Sequence, residues 1–500
     1  MTTYLSPGIY VKEVLSGAVS IAGVGTSTAG FIGMISHENS PSTGVVLEAA
    51  KLIPVQLGGT EVTATTGNVT DAPSVTSPST TDSHYRFQKV VGEVVGKGDG
   101  KKTEFILSSY PTDLTVTNLK IKLGNQEQTS PAFTVNNDPH KQVSTLKFIT
   151  APATDQQITV DYYPVSVAAG KVQLCTNFTE FKKYFGDFPI VTEQSNDAGR
   201  SNLAHAVYGF FRNGGTRCFV TWVANEPNID GALEDFAAID EIAIVAAPGS
   251  TNNAVLEKLS SHCKMLGDRV AIFDAPQDMT SSKPGEGGMP GGSDYAALYY
   301  PWIQVLDPAT NKKQYVPPSG HIAGIYARVD AQRGVHKAPA NEAILGAIGL
   351  QVALTRVKQD GLNPQGVNCI RNLNGNILVW GARTWGGDIN GEFKYVNIRR
   401  LFNYLRESID EGSQWVVFEP NSPELWARVR RSVTAFLTMV WRSGALFGAT
   451  PEEAFFVQCD EETNPPEVRD AGQLIVKIGV AVVKPAEFVI FELSQWSGGK

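Results

Sequence analysis

The sequence predicts an α/β chain that carries an inserted β-rich segment and ends in strand-like arms. Three patterns predict this class. From Cys175 onward, short apolar runs suited to buried strands alternate with segments of helical periodicity. Between residues 46 and 165, brief β-prone runs are separated by Pro, Gly, Asn and Asp at regular intervals. Each end of the chain carries an apolar, β-prone stretch. The chain has 500 residues, too many for one simple core, so about two to four domains are expected.

Residues 1–20 read as an extended arm. Ser6-Pro7-Gly8 punctuates it, and Ile9-Tyr10-Val11 followed by Val14 suits a short strand. Residues 21–45 lead through a Gly/Thr/Ser-rich connector into Phe31-Ile32 and begin the core. In the 46–165 segment, Glu61 to Ser83 reads as loop or irregular β. Short strands then follow at 104–107, 119–123, 132–135, 145–150 and 157–163, the signature of a small all-β sandwich or barrel.

In the 166–370 segment, Phe178 to Phe185 reads as a helix capped by Asn177 or Thr176. Asn202 to Phe211 is a second helix, stopped by Asn213-Gly214-Gly215. Arg217 to Val223, Ile242 to Ala246 and Val270 to Phe273 read as strands, and Gln277 to Gly292 as a loop. In the 371–500 segment, Ile398, Leu401, Phe402, Leu405 and Ile409 recur at helical spacing, and Gly412 is placed to end that helix. Ser422-Pro423 opens a second helix as cap and first residue. At roughly 100° per residue, Trp426, Val429, Val433, Phe436 and Val440 gather on one side of it, and Arg428, Arg431 and Arg442 on the other. Strands are expected at Leu474 to Val483 and Phe488 to Leu493.

Composition excludes several function classes. The net charge of −8 argues against a global electrostatic grip on nucleic acid. No apolar run is long enough to span a bilayer, so direct membrane insertion is not expected. Met1 to Tyr10 holds no basic residue, and Lys12 is followed at once by Glu13, which does not read as a signal peptide. Cys175, Cys218, Cys263, Cys369 and Cys459 are odd in number, widely spaced and form no CxxC pair. They read as buried free thiols rather than a zinc site or disulfide framework.

Nor do the motifs carry catalysis. Gly96 to Thr103 lacks the glycine spacing of a phosphate loop and leads into a β-prone run, so it reads as a hairpin turn. Gly23-Val24-Gly25 lacks the third glycine of a dinucleotide site. The seven histidines form no short metal spacing, and Ser319-Gly320-His321 is not a nucleophile elbow. Asp460-Glu461-Glu462 reads as a solvated acidic loop. No catalytic residue, metal ligand or cofactor is expected.

Three features favour assembly. Strand-like termini expose backbone donors and acceptors, and each pairs either within its own subunit or with another chain. Burying Ile9, Val11 and Val14 yields roughly 5 kcal/mol gross, while ordering the arm costs roughly 1–2 kcal/mol per residue. A lone arm is therefore near break-even, and many arms on a lattice gain from effective concentration. The Arg428, Arg431 and Arg442 stripe is either a solvated face or a weak contact to an acidic partner.

Several stretches, taken in order, resemble the contractile tail sheath family of phage tails, R-type pyocins and extracellular contractile injection systems. They are Tyr4 to Val11, Thr26 to Gly33, Gly209 to Gly215, Ser319 to Gly324 and Arg333 to Asn341. A dense C-terminal block then runs from Ala382 to Trp496. The resemblance implies an α/β core built from the N- and C-terminal parts of the chain, with 166–370 and 371–500 as sheath domains. The 46–165 insertion would point outward. Subunits would stack as rings, usually six-fold, into a helical sleeve around an inner tube protein, with baseplate and terminator or cap proteins as further partners.

By the same resemblance, Leu5, Ile9, Tyr10, Val11 and Val14 would form an inter-subunit arm, as would Phe488, Val489, Ile490, Phe491, Leu493 and Trp496. Arg428, Arg431 and Arg442 would face the tube. The particle would assemble in the bacterial cytoplasm, without nucleotide hydrolysis by the sheath. The competing reading is a surface- or carbohydrate-binding structural module acting through the 46–165 segment.

Overall fold

The computed structural model describes residues 20–35, 90–110, 112, 119–128, 132–138, 141, 143–162, 164, 166–189, 198–279 and 283–492. Leu5, Ile9, Tyr10, Val11, Val14, Leu493 and Trp496, on which the two arms were expected, lie outside these residues. The described chain forms two compact units. The larger holds its described residues from 26 to 332 and 339 to 396, the smaller those from 20 to 25, 333 to 338 and 397 to 492.

The larger unit begins with strand β1 (Ala29–Met34). Seven short strands follow: β2 (Val90–Lys97), β3 (Glu104–Ile106), β4 (Lys120–Leu123), β5 (Gln126–Gln128), β6 (Phe133–Asp138), β7 (Val143–Phe148) and β8 (Gln157–Tyr162). They pair as two antiparallel sheets, β2-β8-β4-β5 and β3-β7-β6. Alternating inward residues, among them Phe105, Ile121, Leu146, Ile158 and Tyr162, make their common core. The loop at Gly96 to Thr103 is not a hairpin, because β2 pairs with β8 and β3 with β7. It crosses from one sheet to the other. Gly98 N–H donates to Gln156 and Gly100 N–H to Pro152.

The chain then returns to β1. Further strands β9 (Gln173–Cys175), β10 (Cys218–Val223), β11 (Ile244–Ala246), β12 (Val270–Asp274), β13 (Ala296–Tyr300), β14 (Ile303–Leu306), β15 (Lys313–Val316), β16 (Glu342–Ala343), β17 (Ala347–Leu350), β18 (Val367–Leu373) and β19 (Asn376–Val379) complete the unit. Nine of its strands form one sheet in the order β16-β19-β18-β13-β12-β11-β1-β10-β9. The six from β18 to β10 run parallel, with antiparallel strands at both edges.

Helices cover both faces, as a parallel sheet requires. Helices α1 (Phe178–Phe185) and α2 (Ala198–Arg212) pack with Phe31, Val220, Trp222 and Ile272 on one face. Helices α3 (Ile229–Ala237) and α4 (Asn253–Leu266) pack with Ile32, Val245 and Phe273 on the other. Helix α5 (Ser319–Arg333) shares the first face, and α6 (Arg356–Leu362) precedes β18.

The expected boundary at 370/371 falls inside β18, which turns back through Asn374-Gly375 to pair with β19. The sheet therefore keeps the chain in the larger unit until Val396.

The smaller unit is built on α7 (Val396–Ser413), α8 (Pro423–Arg442) and the two-stranded antiparallel sheet of β20 (Phe455–Gln458) and β21 (Lys477–Val480). Its core joins Ile21, Leu401, Leu405, Leu425, Val429, Val433 and Phe436. Gly412 does not end α7. It lies inside the last turn, where a Cβ would sit 2.7 Å from Ile21, so its bareness makes room for that side chain.

Candidate functional site

In open α/β sheets, ligands bind beyond the carboxyl ends of the strands where strand order reverses. That point lies at β1, flanked by β10 and β11, and this chain fills it with its own atoms. Gly199 of α2 lies so close to Met34 that a Cβ would sit 1.8 Å from the Met34 carbonyl oxygen. Asn202 closes on Gly249 in the same way, at 2.1 Å. Next along, the Asp274 carboxylate at the end of β12 accepts from Gly249 N–H at 2.9 Å, Ser319 N–H at 2.8 Å and Ser319 Oγ at 2.6 Å. Burial raises the Asp274 carboxyl to about 6, against the pull of these three donors.

Ser319, Asp274 and the nearby His321 do not form a proton relay. The Ser319 hydroxyl donates its hydrogen bond directly to Asp274, whose role is to cap the start of α5. His321 packs against Gly209 of α2, with its Nδ1 2.3 Å from where a Gly209 Cβ would lie. Burial lowers His321 to about 3 and His205 to about 4, keeping both neutral. Asp307, 3.8 Å from His205, pulls the other way without overcoming burial.

The Gly96 to Thr103 loop offers no phosphate cradle either. The Asp99 carboxylate takes the Lys101 and Lys102 backbone N–H groups at 2.8 and 2.6 Å. Those bonds lower its pKa. All five cysteines are buried and free, and burial pushes each thiol up, Cys369 to about 12. Among the described residues no three His, Cys, Asp or Glu side chains converge as metal ligands.

The surface of the smaller unit carries the other candidate features. Ser422 caps α8 by accepting from Leu425 N–H, and Pro423 occupies its first turn. Trp426, Val429, Val433, Phe436 and Val440 are buried, as their spacing predicts. Arg431 and Arg442 are exposed on the opposite side, together with Met439. Arg428 is half-buried. Its guanidinium lies 4.7 Å from the Trp415 ring centroid and 3.5 Å from the Glu419 carboxylate. The three arginines of the expected stripe therefore differ: two project into solvent and one is engaged by the turn before α8. Arg430, which the stripe omitted, donates to the Cys459 carbonyl.

The chain continues within this unit beyond β21. Ala481 N–H donates to Ala454, Phe447 N–H to Ala481 and Val483 N–H to Ala445. The strand expected at Phe488 to Leu493 does not form among the described residues. Phe488, Val489, Ile490 and Phe491 stand 71%, 68%, 83% and 85% exposed, so four consecutive large apolar side chains face water. Propensity and alternation predict a strand there, but a ladder needs a partner, and sequence periodicity does not specify one.

No helix among the described residues is long and apolar enough to cross a membrane. Sequence reasoning missed the turn Val416–Glu419 between α7 and α8, where Phe418 adopts a positive φ. Pro420-Asn421 after the helical pattern was the available signal for a break.

Comparison with known proteins supports one assignment. Residues 223–385 match the phage tail sheath protein central domain, and residues 388–495 the phage tail sheath C-terminal domain. The tail sheath protein of Burkholderia phage BcepMu is 30% identical over 265 residues, which are 50% of this chain and 54% of that protein. The chain thus spans about half the length of that relative. The tail sheath protein of Enterobacteria phage T4 is 24% identical over 201 residues, 39% of this chain and 29% of that protein.

Among solved structures, a chain of the anti-feeding prophage (AFP) baseplate superposes with a TM-score of 0.57 at 30% identity, covering 65% of this chain and 88% of that one. The contracted sheath complex of the PVC extracellular contractile injection system gives a TM-score of 0.56 at 30% identity, over 66% and 88%. Sequence motifs, domain matches and fold agree: the chain belongs to the contractile tail sheath family.

Proposed function

We propose that this chain is a structural subunit of a contractile sheath whose copies stack as six-fold rings around an inner tube. The sleeve assembles extended and metastable, and its shortening drives the tube through a target envelope. The energy is stored at folding and assembly, so the subunit needs no active site. Assembly takes place in the bacterial cytoplasm, with a baseplate at one end of the sleeve and a cap at the other. In this reading the 46–165 segment is decoration on the outside.

The observation that carries the reading is the exposed run Phe488–Phe491, in a chain whose family includes solved sheaths. Leaving each such side chain in water forgoes roughly 1.5–3 kcal/mol of burial. Among the described residues the β20–β21 sheet has two strands, and such sheets gain stability from added strands. Phe488, Val489, Ile490, Phe491, Leu493 and Trp496 would pair with a neighbour's sheet, as would Leu5, Ile9, Tyr10, Val11 and Val14 from the other end. Arg431 and Arg442, with Arg428 at the near end, would meet the tube through weak, screened charge contacts.

Electron microscopy tests this directly. Purified protein or particles should show striated sleeves in long and short forms. A chain ending at Lys484 should keep its circular dichroism and melting behaviour yet form no sleeves, and so should one lacking residues 1–14. Contracting sleeves built from either truncated chain would refute that arm.

A further inference from the structure

Val416 to Glu419 form a tight turn, closed by Glu419 N–H donating to the Val416 carbonyl at 3.1 Å. Val417 has φ −64° and ψ 130°, and Phe418 has φ +65°. This is the type II pattern, in which the residue at Phe418's position is normally glycine or asparagine. A bulky side chain there is held in a conformation it avoids. The ring is not buried in exchange: Phe418 is 102% exposed and Val417 63%.

The turn is nevertheless well anchored. The Arg428 guanidinium stacks on Trp415 on one side of the exposed pair and reaches Glu419 on the other. Asn421 donates to the Gln473 carbonyl at 2.8 Å and accepts from Trp426 Nε1 at 2.7 Å. A fixed base thus holds a strained apex and an apolar ring in water, and nothing among the described residues covers that ring.

We propose that Phe418 is a docking knob that inserts between apolar side chains of a second copy of this chain, an inference that rests on the sheath reading above. The occupant follows from what surrounds such a subunit. The family includes a solved helical sheath, that of the anti-feeding prophage, in which copies pack on copies. A rigid protrusion received at a different surface of the next copy is a heterologous contact, and repeating it builds an open helical array. The ordering cost of the contact is already met in the free chain, which suits an aromatic anchor. Strand arms link copies through extended backbone. The knob adds a rigid register that fixes how one copy is turned against the next.

Two experiments test it. Placing p-benzoylphenylalanine at position 418 and irradiating assembled particles should give a product of twice the chain's mass, with the cross-link mapping to another copy. A cross-link to a different protein, or none from assembled particles, would overturn the proposal.

In the second, Phe418→Gly removes the ring and suits the positive φ. The variant should melt at or above the wild-type temperature as a monomer, yet need about ten-fold more protein or greater to form sleeves. A lower melting temperature would make the ring part of its own subunit's fold and overturn the knob. Assembly at the wild-type concentration would overturn it too. Failure of the wild-type chain to form sleeves would overturn the sheath reading and this contact with it; sleeves from wild type and Phe418→Gly alike would overturn the contact alone.

Discussion

Gly209 and His321 meet where α2 crosses α5, with no room between them for even a methyl group. The same joint sets Gly320 against the Ala206 backbone, at 2.3 Å from a would-be Cβ, and Gly324 against the Phe210 carbonyl, at 2.4 Å. Asn213 closes its end. It donates to the Gly209 and Leu345 carbonyls and accepts from Leu345 N–H. Two motifs far apart in sequence, Gly209 to Gly215 and Ser319 to Gly324, are therefore one helix crossing.

Gly320→Ala should destabilise the larger unit by about 1–3 kcal/mol, because the obstructing atoms are backbone and cannot rotate away. Gly231→Ala is the control. It sits in α3 with open space around its would-be Cβ and should be neutral or mildly stabilising. Chemical denaturation followed by tryptophan fluorescence distinguishes the two, since Trp222 lies in the core on that face of the sheet.

Acid should weaken the same region. The folded pKa values of His205 and His321 lie below the ordinary 6.5, at about 4 and about 3. Below pH 6.5 the unfolded chain therefore binds more protons, and stability falls as pH drops toward 4. Asp274 acts with the opposite sign: its folded value of about 6 exceeds 3.8, so its contribution grows as pH falls through that window. Two histidines outweigh one carboxylate. His205→Phe keeps a ring on Phe188, 4.8 Å away by centroid, and cannot be protonated. Its acid-unfolding midpoint should move to lower pH. A midpoint unchanged from wild type would assign the acid transition elsewhere.

The exposed arginines predict a salt-sensitive partner. Arg431→Glu combined with Arg442→Glu should leave monomer melting unchanged, since both side chains project into solvent. Sleeves should still form but release tube protein at lower salt, as read by co-sedimentation. Arg428→Ala should behave differently and lower monomer stability by about 1 kcal/mol, because it removes a half-buried contact with Trp415 and Glu419.

What the sequence made legible follows the range of the forces involved. The buried stripe of α8 and its Ser422-Pro423 start depend on residues within a few turns, and both agree with the structure. So do α1, whose cap is the first of the two candidates Asn177 and Thr176, and the strands of the 104–163 stretch. Gly412 departs from its local pattern because a glycine near a helix end can either stop the helix or clear space, and only Ile21, distant in the chain, decides between them. The Gly96 to Thr103 loop differs from the hairpin its residues predict because turn residues mark a reversal without naming the strand that comes next. Asn252 and Gly267 carry local cap signals for α4 that are legible in the sequence. The filled crevice at β1 lies beyond local pattern, since it is set by tertiary packing; at the turn Pro420-Asn421 signals a break, but nothing local places Phe418 at a positive φ.

Asp274 gives the sharpest test of how the crevice is held shut. Its carboxylate is the shared acceptor for Gly249 N–H, which is part-buried, and for Ser319 N–H and the Ser319 hydroxyl, which are buried. Asp274→Ala leaves three donors facing no acceptor, at about 1–3 kcal/mol for each one left unsatisfied, so a loss of several kcal/mol is expected. Asp274→Asn keeps one acceptor oxygen but turns an NH₂ toward a donor, and should fall between Ala and wild type. Ser319→Ala removes one donor and leaves the carboxylate its two backbone partners, costing about 1 kcal/mol. Hydrogen exchange at the start of α5 should follow the same order, fastest in Asp274→Ala. Equal protection in all three variants would show that the cap does not hold that helix.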